Sequence, residues 1–183
     1  MRPAPTDVLV AIDMQNGFVS AESEHVVPVV VSLVEQWQAA GGAVVMTRYL
    51  NHPNSPYVEF MGWFKMQASP EIDIVAELQP YVAGSHVLDK TVYTAFTPDG
   101  VELFDRRGWK NVYIVGLDTE SCVAQTAVGA FERHLRPVVI TDGCASHAGQ
   151  QAHDAGVFVM RRNLGSAQLT TSAELGLQVP LAS

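Results

Sequence analysis

The stretch "NVYIVGLDTESCVAQTA", residues 111–127, runs from an apolar segment through a polar break into a helix-like segment, with a cysteine at the join. "NVYIVGL" (111–117) is rich in β-branched residues and bounded by Asn111 and Gly116, the pattern of a strand buried on both faces. The continuation "TESCVAQTAVGAFERH" changes period, because Cys122, Val123, Thr126, Ala127 and Ala130 fall on one helical face. Thr119 is the expected N-cap, and Glu120 stands in the first turn where a carboxylate suits the helix dipole. A buried strand passing directly into a helix is half of a βαβ unit, so the stretch predicts a parallel sheet. It also sets Cys122 in or near a first helical turn, where free N–H groups and the dipole favour a thiolate. The plain alternative is a small buried hydrophobe, the usual fate of a free cysteine.

The rest of the chain repeats the alternation. Strand-like runs are "VLVAID" (8–13), "AVVMTRYL" (43–50), "HVLDK" (86–90) and "PVVITDG" (137–143), with helix-like segments between them, one of them opening at "SPEIDIVAEL" (69–78). Ser69-Pro70 and Thr97-Pro98 read as cap residues followed by Pro at N1, and Gly41-Gly42 and Gly108 read as helix stops. The prediction is one α/β domain over residues 1–183, a Rossmann-like parallel sheet covered by helices on both faces. Residues 51–68, "NHPNSPYVEFMGWFKMQA", read as a long ordered loop beside a site, or as a lid.

Composition bounds the function. A net charge of −8 with eleven Lys and Arg spread along 183 residues excludes a nucleic-acid footprint, so the expected partners are a small molecule and further copies of the chain. The N-terminal "MRPAPTDVLVAID" has no signal-type apolar region and no segment approaches ~20 apolar residues, which predicts a soluble, cytoplasmic protein with no membrane partner. Cys122 and Cys144 form neither a CxxC nor a zinc pattern.

In parallel α/β sheets ligands bind beyond the carboxyl ends of the strands. Asp13, Arg48 with Tyr49, Lys90, Cys122 and Asp142 all stand at such ends. Asp13, Lys90 and Cys122 are what acyl transfer asks for: a carboxylate to accept and return a proton, a cation to tune its neighbours, and a thiol nucleophile. Taken singly, Asp13 also reads as a turn cap, Lys90 as a solvated strand end and Cys122 as core packing.

The segments "VLVAIDMQNGFV", "VLDKTVYTAF" and "VYIVGLDTESCVAQTAVGAFERHLRPVVITDGCAS" resemble, in order, the isochorismatase-like cysteine hydrolases, the family that includes nicotinamidases and N-carbamoylsarcosine amidohydrolases. The most specific part is the G-x-x-T-x-x-C-V core of the third segment. The resemblance implies a six-stranded parallel sheet and a catalytic triad on Asp13, Lys90 and Cys122. It further implies a cis peptide at Leu117–Asp118 and an oxyanion hole made by the N–H groups of Asp118 and Cys122. Asp118 departs from the small or apolar residues common at its position, and its carboxylate faces either substrate or solvent.

Nicotinamidases of this family typically bind a metal through an Asp-x-His pair after the second strand. Tyr49 and Asn51 stand there in this chain, with His52 alone nearby, so no metal and no other cofactor is expected. Family members that cleave a vinyl ether lack the cysteine in this position, which favours C–N cleavage here. For specificity, Phe18, Trp63, Phe64 and Tyr93 are candidate pocket walls, each with satellite core packing as its alternative. Arg48 either binds a substrate carboxylate or makes a surface salt bridge. His147 and His153 are assigned to a solvated or interface-facing helix without a role, and the family habit of dimers or larger assemblies carries over as an expectation.

The leading reading is a metal-independent cysteine hydrolase acting through a thioester on a small amide or an N-carbamoyl or ureido acid. The alternatives are hydrolysis of another bond, an ester or vinyl ether, and a non-catalytic thiol sensor with Cys144 as the resolving partner. A dinucleotide-binding role is set aside, because the first strand leads into "DMQNGF" and not into G-x-G-x-x-G.

Overall fold

The computed structural model describes residues 2–180, so Met1 and residues 181–183 of the expected 1–183 domain lie outside the described residues. Six strands form one sheet in the order β3-β2-β1-β4-β5-β6: β1 Asp7–Ile12, β2 Ala43–Tyr49, β3 His86–Lys90, β4 Asn111–Leu117, β5 Arg136–Ala145 and β6 Leu169–Thr170. Every strand pairing is parallel. The helices are α1 Val27–Ala39, α2 Pro56–Met61, α3 Gln79–Val82, α4 Pro98–Arg107, α5 Ala124–Glu132 and α6 Gln150–Leu164.

Alternation along the central strand divides the core into two layers. Leu9 and Ala11 of β1 pack under Val30, Leu33, Val34 and Trp37 of α1. Val8, Val10 and Ile12 pack with Phe104 of α4, Ala127 and Ala130 of α5, and Met160 of α6. Because both faces are covered, the strands read as near-continuous apolar runs, and β1 is buried throughout. Among the described residues no helix is long and apolar enough to cross a membrane.

The chain builds outward from β1 to β2 and β3, then returns to place β4 on the other side of β1. The reversal opens a crevice beyond the ends of β1 and β4, where Asp13 and the Cys122 turn follow. Gly116 sits at this seam with φ +113°, and a Cβ there would lie 2.2 Å from the Ile12 carbonyl oxygen, so only glycine lets β4 lie this close to β1.

Local signals hold in part. Thr97 accepts from the Gly100 N–H and Gly108 closes α4 in the left-handed region. The helix expected from Ser69-Pro70 is absent: the span holds only a 3₁₀ turn at Ala76–Leu78, and α3 starts at Gln79. The main chain of residues 71–74 is engaged instead by the loop after β1. Asn16 and Gly17 donate to the Asp73 and Glu71 carbonyls, Gln15 pairs with Ile74, and the buried Gln15 amide donates to the Ile72 and Tyr49 carbonyls. These bonds, with the antiparallel bridge from Gln15 to Ile74, hold the segment in a non-helical conformation. The loop at 51–68 in turn contains α2, whose signals were present: Ser55 caps it, Pro56 opens it and Gly62 ends it at φ +64°.

Candidate active site

Asp13 lies just past β1, wholly buried and at φ +48°. Its main-chain N–H donates to the Thr47 hydroxyl at 3.0 Å, and that hydroxyl donates to Oδ1 of the same Asp13 at 2.6 Å. The other carboxylate oxygen accepts from Lys90 Nζ at 2.7 Å. Lys90 Nζ also donates to the Val92 carbonyl at 3.0 Å and to Cys122 Sγ at 3.4 Å. Three residues distant in sequence, one just past β1, one ending β3 and one in the turn after β4, thus meet at one point. Burial works against the Lys90 ammonium, but Asp13 and Cys122 outweigh it and hold it above its usual range.

Cys122 differs from the expectation. The turn Thr119–Val123 is a π-helical turn whose N-cap is Asp118, and the Thr119 hydroxyl donates to the Ala145 carbonyl rather than capping the helix. The sulfur is buried, and burial first and Asp13 second raise the thiol well above its usual range despite Lys90. The resting sulfur is therefore a neutral thiol, not the helix-activated thiolate that its place in the sequence predicts. The Leu117–Asp118 peptide is cis.

Above the sulfur is a cavity of about 200 Å³ with aromatic walls. Phe18 and Trp63 stack at 6.1 Å and 18°, while Tyr57 meets Tyr49 and Tyr93 edge-on, each at 5.2 Å. Burial keeps the Tyr49 and Tyr57 phenols above their usual range, so both are protonated. Asp118, Ser121 and His147 supply polar wall. The expected wall residues Phe18, Trp63 and Tyr93 are all here, whereas Phe64 is 68% exposed and belongs to the surface.

Arg48 is not at the cavity. It makes a bidentate ion pair with Asp89 at 2.7 and 2.8 Å. The register explains this: Arg48 is level with Asp89, and Tyr49 with Lys90. Alternation that turns Tyr49 and Lys90 toward the site turns Arg48 and Asp89 away. Asp142 is likewise engaged elsewhere, accepting from the main-chain N–H and hydroxyl of Ser172.

The Asp-x-His position for metal is structural here. The Asn51 amide nitrogen donates to the Trp63 and Lys65 carbonyls at 3.0 and 2.9 Å, and its oxygen accepts from the His52 N–H and the Ser55 hydroxyl. Asn51 thus braces the aromatic loop and has no lone pair to spare for an ion. Among the described residues no group of three or more His, Cys, Asp or Glu side chains is placed to hold a metal. The residues present do not fit the metal site of the nicotinamidases.

Tyr57 and His147 are among the residues that escaped sequence reasoning, as are Met61 and Ser121 of the cavity wall and Thr47 beside Asp13. Tyr57 lies on the unrecognised α2, which the Ser55-Pro56 and Gly62 signals would have found. His147 stands in the loop after β5, not on a helix, and its Nδ1 meets Asp118 Oδ2 at 2.5 Å. The Asp118 hydrogen bond raises its pKa above the usual histidine value. His153 is on α6, half-buried, and bonds the Thr119 hydroxyl at 2.8 Å; burial lowers its pKa. Cys144 lies in β5 with its pKa pushed by burial to about 12, which makes it a poor resolving thiol.

A parallel α/β sheet with a small cavity at its switch point and a buried thiol, amine and carboxylate beneath it defines the class: a ligand-binding α/β fold with the layout of a hydrolase. The isochorismatase domain model matches residues 7–174, and the chain belongs to that family of isochorismatase-like hydrolases. Among similar proteins is nicotinamidase 3 of Arabidopsis thaliana, 28% identical over 154 residues that cover 80% of this chain and 76% of that one. An isochorismatase family protein from Desulfovibrio vulgaris superposes with TM-score 0.79 at 28% identity, covering 93% of this chain and 96% of the other. N-carbamoylsarcosine amidase from Thermoplasma acidophilum does so with TM-score 0.77 at 26% identity, covering 91% and 96%.

Proposed function

We propose that this protein is a metal-independent cysteine amidohydrolase acting on a small amide or N-carbamoyl acid. The observation that supports it most is the buried Lys90 ammonium bridging Asp13 at 2.7 Å and Cys122 at 3.4 Å at the base of the aromatic cavity. The similarity to a nicotinamidase and to an N-carbamoylsarcosine amidase points to the same bond type.

In this mechanism Asp13 takes the Cys122 proton as the sulfur attacks the carbonyl carbon, and Lys90 stays paired with whichever neighbour carries the negative charge. The oxyanion rests on the N–H groups of Asp118 and Cys122. The C–N bond breaks as Asp13 returns its proton to the departing nitrogen, leaving a thioester. Asp13 then deprotonates a water that attacks the thioester, releasing the acid and regenerating the thiol.

The test is ammonia release from a panel of primary amides and N-carbamoyl acids by the wild type, Cys122→Ala, and the wild type with a chelator. Release that survives chelation and is lost in Cys122→Ala is expected. Release that persists in Cys122→Ala, or stops on chelation, overturns the proposal.

A further inference from the structure

One polar feature of the cavity wall takes no part in those steps: the pair formed by the side chains of Asp118 and His147. One carboxylate oxygen of Asp118 accepts the His147 main-chain N–H at 2.9 Å and the other meets the ring at Nδ1. The Asp118 side chain is 6% exposed and the His147 side chain 49%. An ionised carboxylate only accepts, so Nδ1 is the donor and Nε2 is the ring nitrogen left to meet a ligand.

The groups facing the ring are Asp118 and Glu120, which favour its charged form, and Lys65, which opposes it together with burial. The ring of Phe18 lies 6.2 Å away. Among the described residues that line the cavity, His147 is the one side chain able to carry a positive charge. Lys90 below is committed to Asp13 and Cys122, and Arg48 to Asp89. The cavity, at about 200 Å³, is smaller than those that take drug-sized ligands.

We propose that His147 anchors the substrate, its Nε2–H binding a carboxylate a few bonds from the scissile carbonyl of a small acid-bearing amide. The inference rests on the amidohydrolase reading and narrows its substrate class. Asp118 links the two ends of such a substrate, since its main chain adjoins the nucleophile's turn and its side chain holds the anchor. The bond is charge-assisted, because Asp118, itself 6% exposed, accepts from the other ring nitrogen and supports the positive charge on the ring.

The test is calorimetric titration of Cys122→Ala protein with two acid and methyl ester pairs, those of N-carbamoylglycine and 4-carbamoylbenzoate, at pH 6 and pH 9. At least one acid is expected to bind about tenfold tighter than its ester at pH 6. The preference fades at pH 9 as the ring loses its proton, and it falls below about threefold at pH 6 when His147→Gln is added. Asp118→Asn, which keeps the ring in place but withdraws the carboxylate's charge, moves the fade to lower pH. Equal binding of acid and ester in both pairs, no binding of either acid, or a preference unmoved by His147→Gln overturns the inference. Binding is read here without turnover, so the two readings fail separately. Acid preference without ammonia release by the wild type keeps the anchor and loses the amidohydrolase, and the converse keeps the amidohydrolase alone.

Discussion

Replacing Lys90 by Met removes the amine while keeping most of the side chain's length, and it strands the Asp13 carboxylate at 0% exposure. Thr47 still donates to one oxygen, but the oxygen that faced Lys90 at 2.7 Å loses its partner. Breaking one side of a buried ion pair costs about 3–5 kcal/mol. A second route gives a ceiling, since the variant can escape the stranded charge by protonating Asp13. From an ordinary aspartate pKa of about 3.9 that costs ~1.4 kcal/mol per pH unit, or about 4 kcal/mol at pH 7. The loss from the stranded charge is then about 1.5 kcal/mol at pH 5, because the raised carboxylate of the variant destabilises only above its unfolded pKa. A smaller loss independent of pH remains from the Val92 carbonyl that also accepted from Lys90. Urea unfolding at pH 5, 6 and 7 measures this directly. The double variant Lys90→Met with Asp13→Asn carries no stranded charge and should recover most of the pH 7 loss. A loss for Lys90→Met below about 1 kcal/mol at pH 7, or one that does not shrink as pH falls, would refute the buried ion pair as described.

The Cys122 thiol is raised by burial and Asp13, so its alkylation by iodoacetamide is slow at pH 7 and climbs about tenfold per pH unit through pH 9; a plateau below pH 7 would contradict the neutral thiol. Gly116→Ala, whose Cβ would press on the Ile12 carbonyl, lowers stability by more than about 2 kcal/mol in urea unfolding, and a wild-type midpoint would show that the β1–β4 seam can open. Arg48→Ala removes a partly exposed ion pair and costs no more than about 1 kcal/mol, with kcat/KM on any amide turned over kept within about twofold; a larger kinetic loss would return Arg48 to the cavity. His147 has its pKa raised in the folded state, so its ion pair with Asp118 stabilises below about pH 6.5 and fades as pH rises through the folded value. Thermal melts of Asp118→Asn should accordingly show a larger deficit at pH 5.5 than at pH 8.5, and an equal deficit would deny the charged pair.

The sheet was legible because both its faces are buried: strands such as "NVYIVGL" must be apolar along their whole length, and helix caps such as Thr97 and Gly108 are written in local chemistry. That Asp13, Lys90 and Cys122 share one carboxyl edge of the sheet was legible from the strand pattern. Their grouping as one site came from the family resemblance, since β2 separates the Lys90 strand from β1 and spacing alone cannot show that they meet. What escaped depends on partners far along the chain. Residues 71–74 carry a helix-like pattern, but the loop after β1 holds their main chain in another conformation. Arg48 stands at the correct strand end, yet a one-residue alternation sends it to Asp89. The thiol's environment was misread for a related reason. A helix terminus is visible in sequence, whereas the enclosure of Cys122 and the nearness of Asp13 exist only after folding.

A neutral thiol beside a buried ion pair suits the proposed reaction better than a resting thiolate does. In the resting site Asp13 and Lys90 carry opposite charges and the sulfur none, so the enclosed group is neutral overall. Moving the proton from sulfur to Asp13 exchanges a carboxylate–ammonium pair for a thiolate–ammonium pair. Lys90 Nζ is already 2.7 Å from one partner and 3.4 Å from the other, so the ammonium need not move and no net charge is created in a low-dielectric pocket. A permanent thiolate would give the enclosure a second anion beside one cation and expose the sulfur to adventitious oxidation. Charge that is relocated over a few ångströms only when a carbonyl is present costs far less than charge that is kept. The same accounting explains the tyrosines: protonated Tyr49 and Tyr57 enclose the pair with dipoles and add no charge of their own. The Tyr49 ring turns its face to the Lys90 ammonium, 5.4 Å from the ring centroid, and its hydroxyl is directed to Asn51 at 3.4 Å.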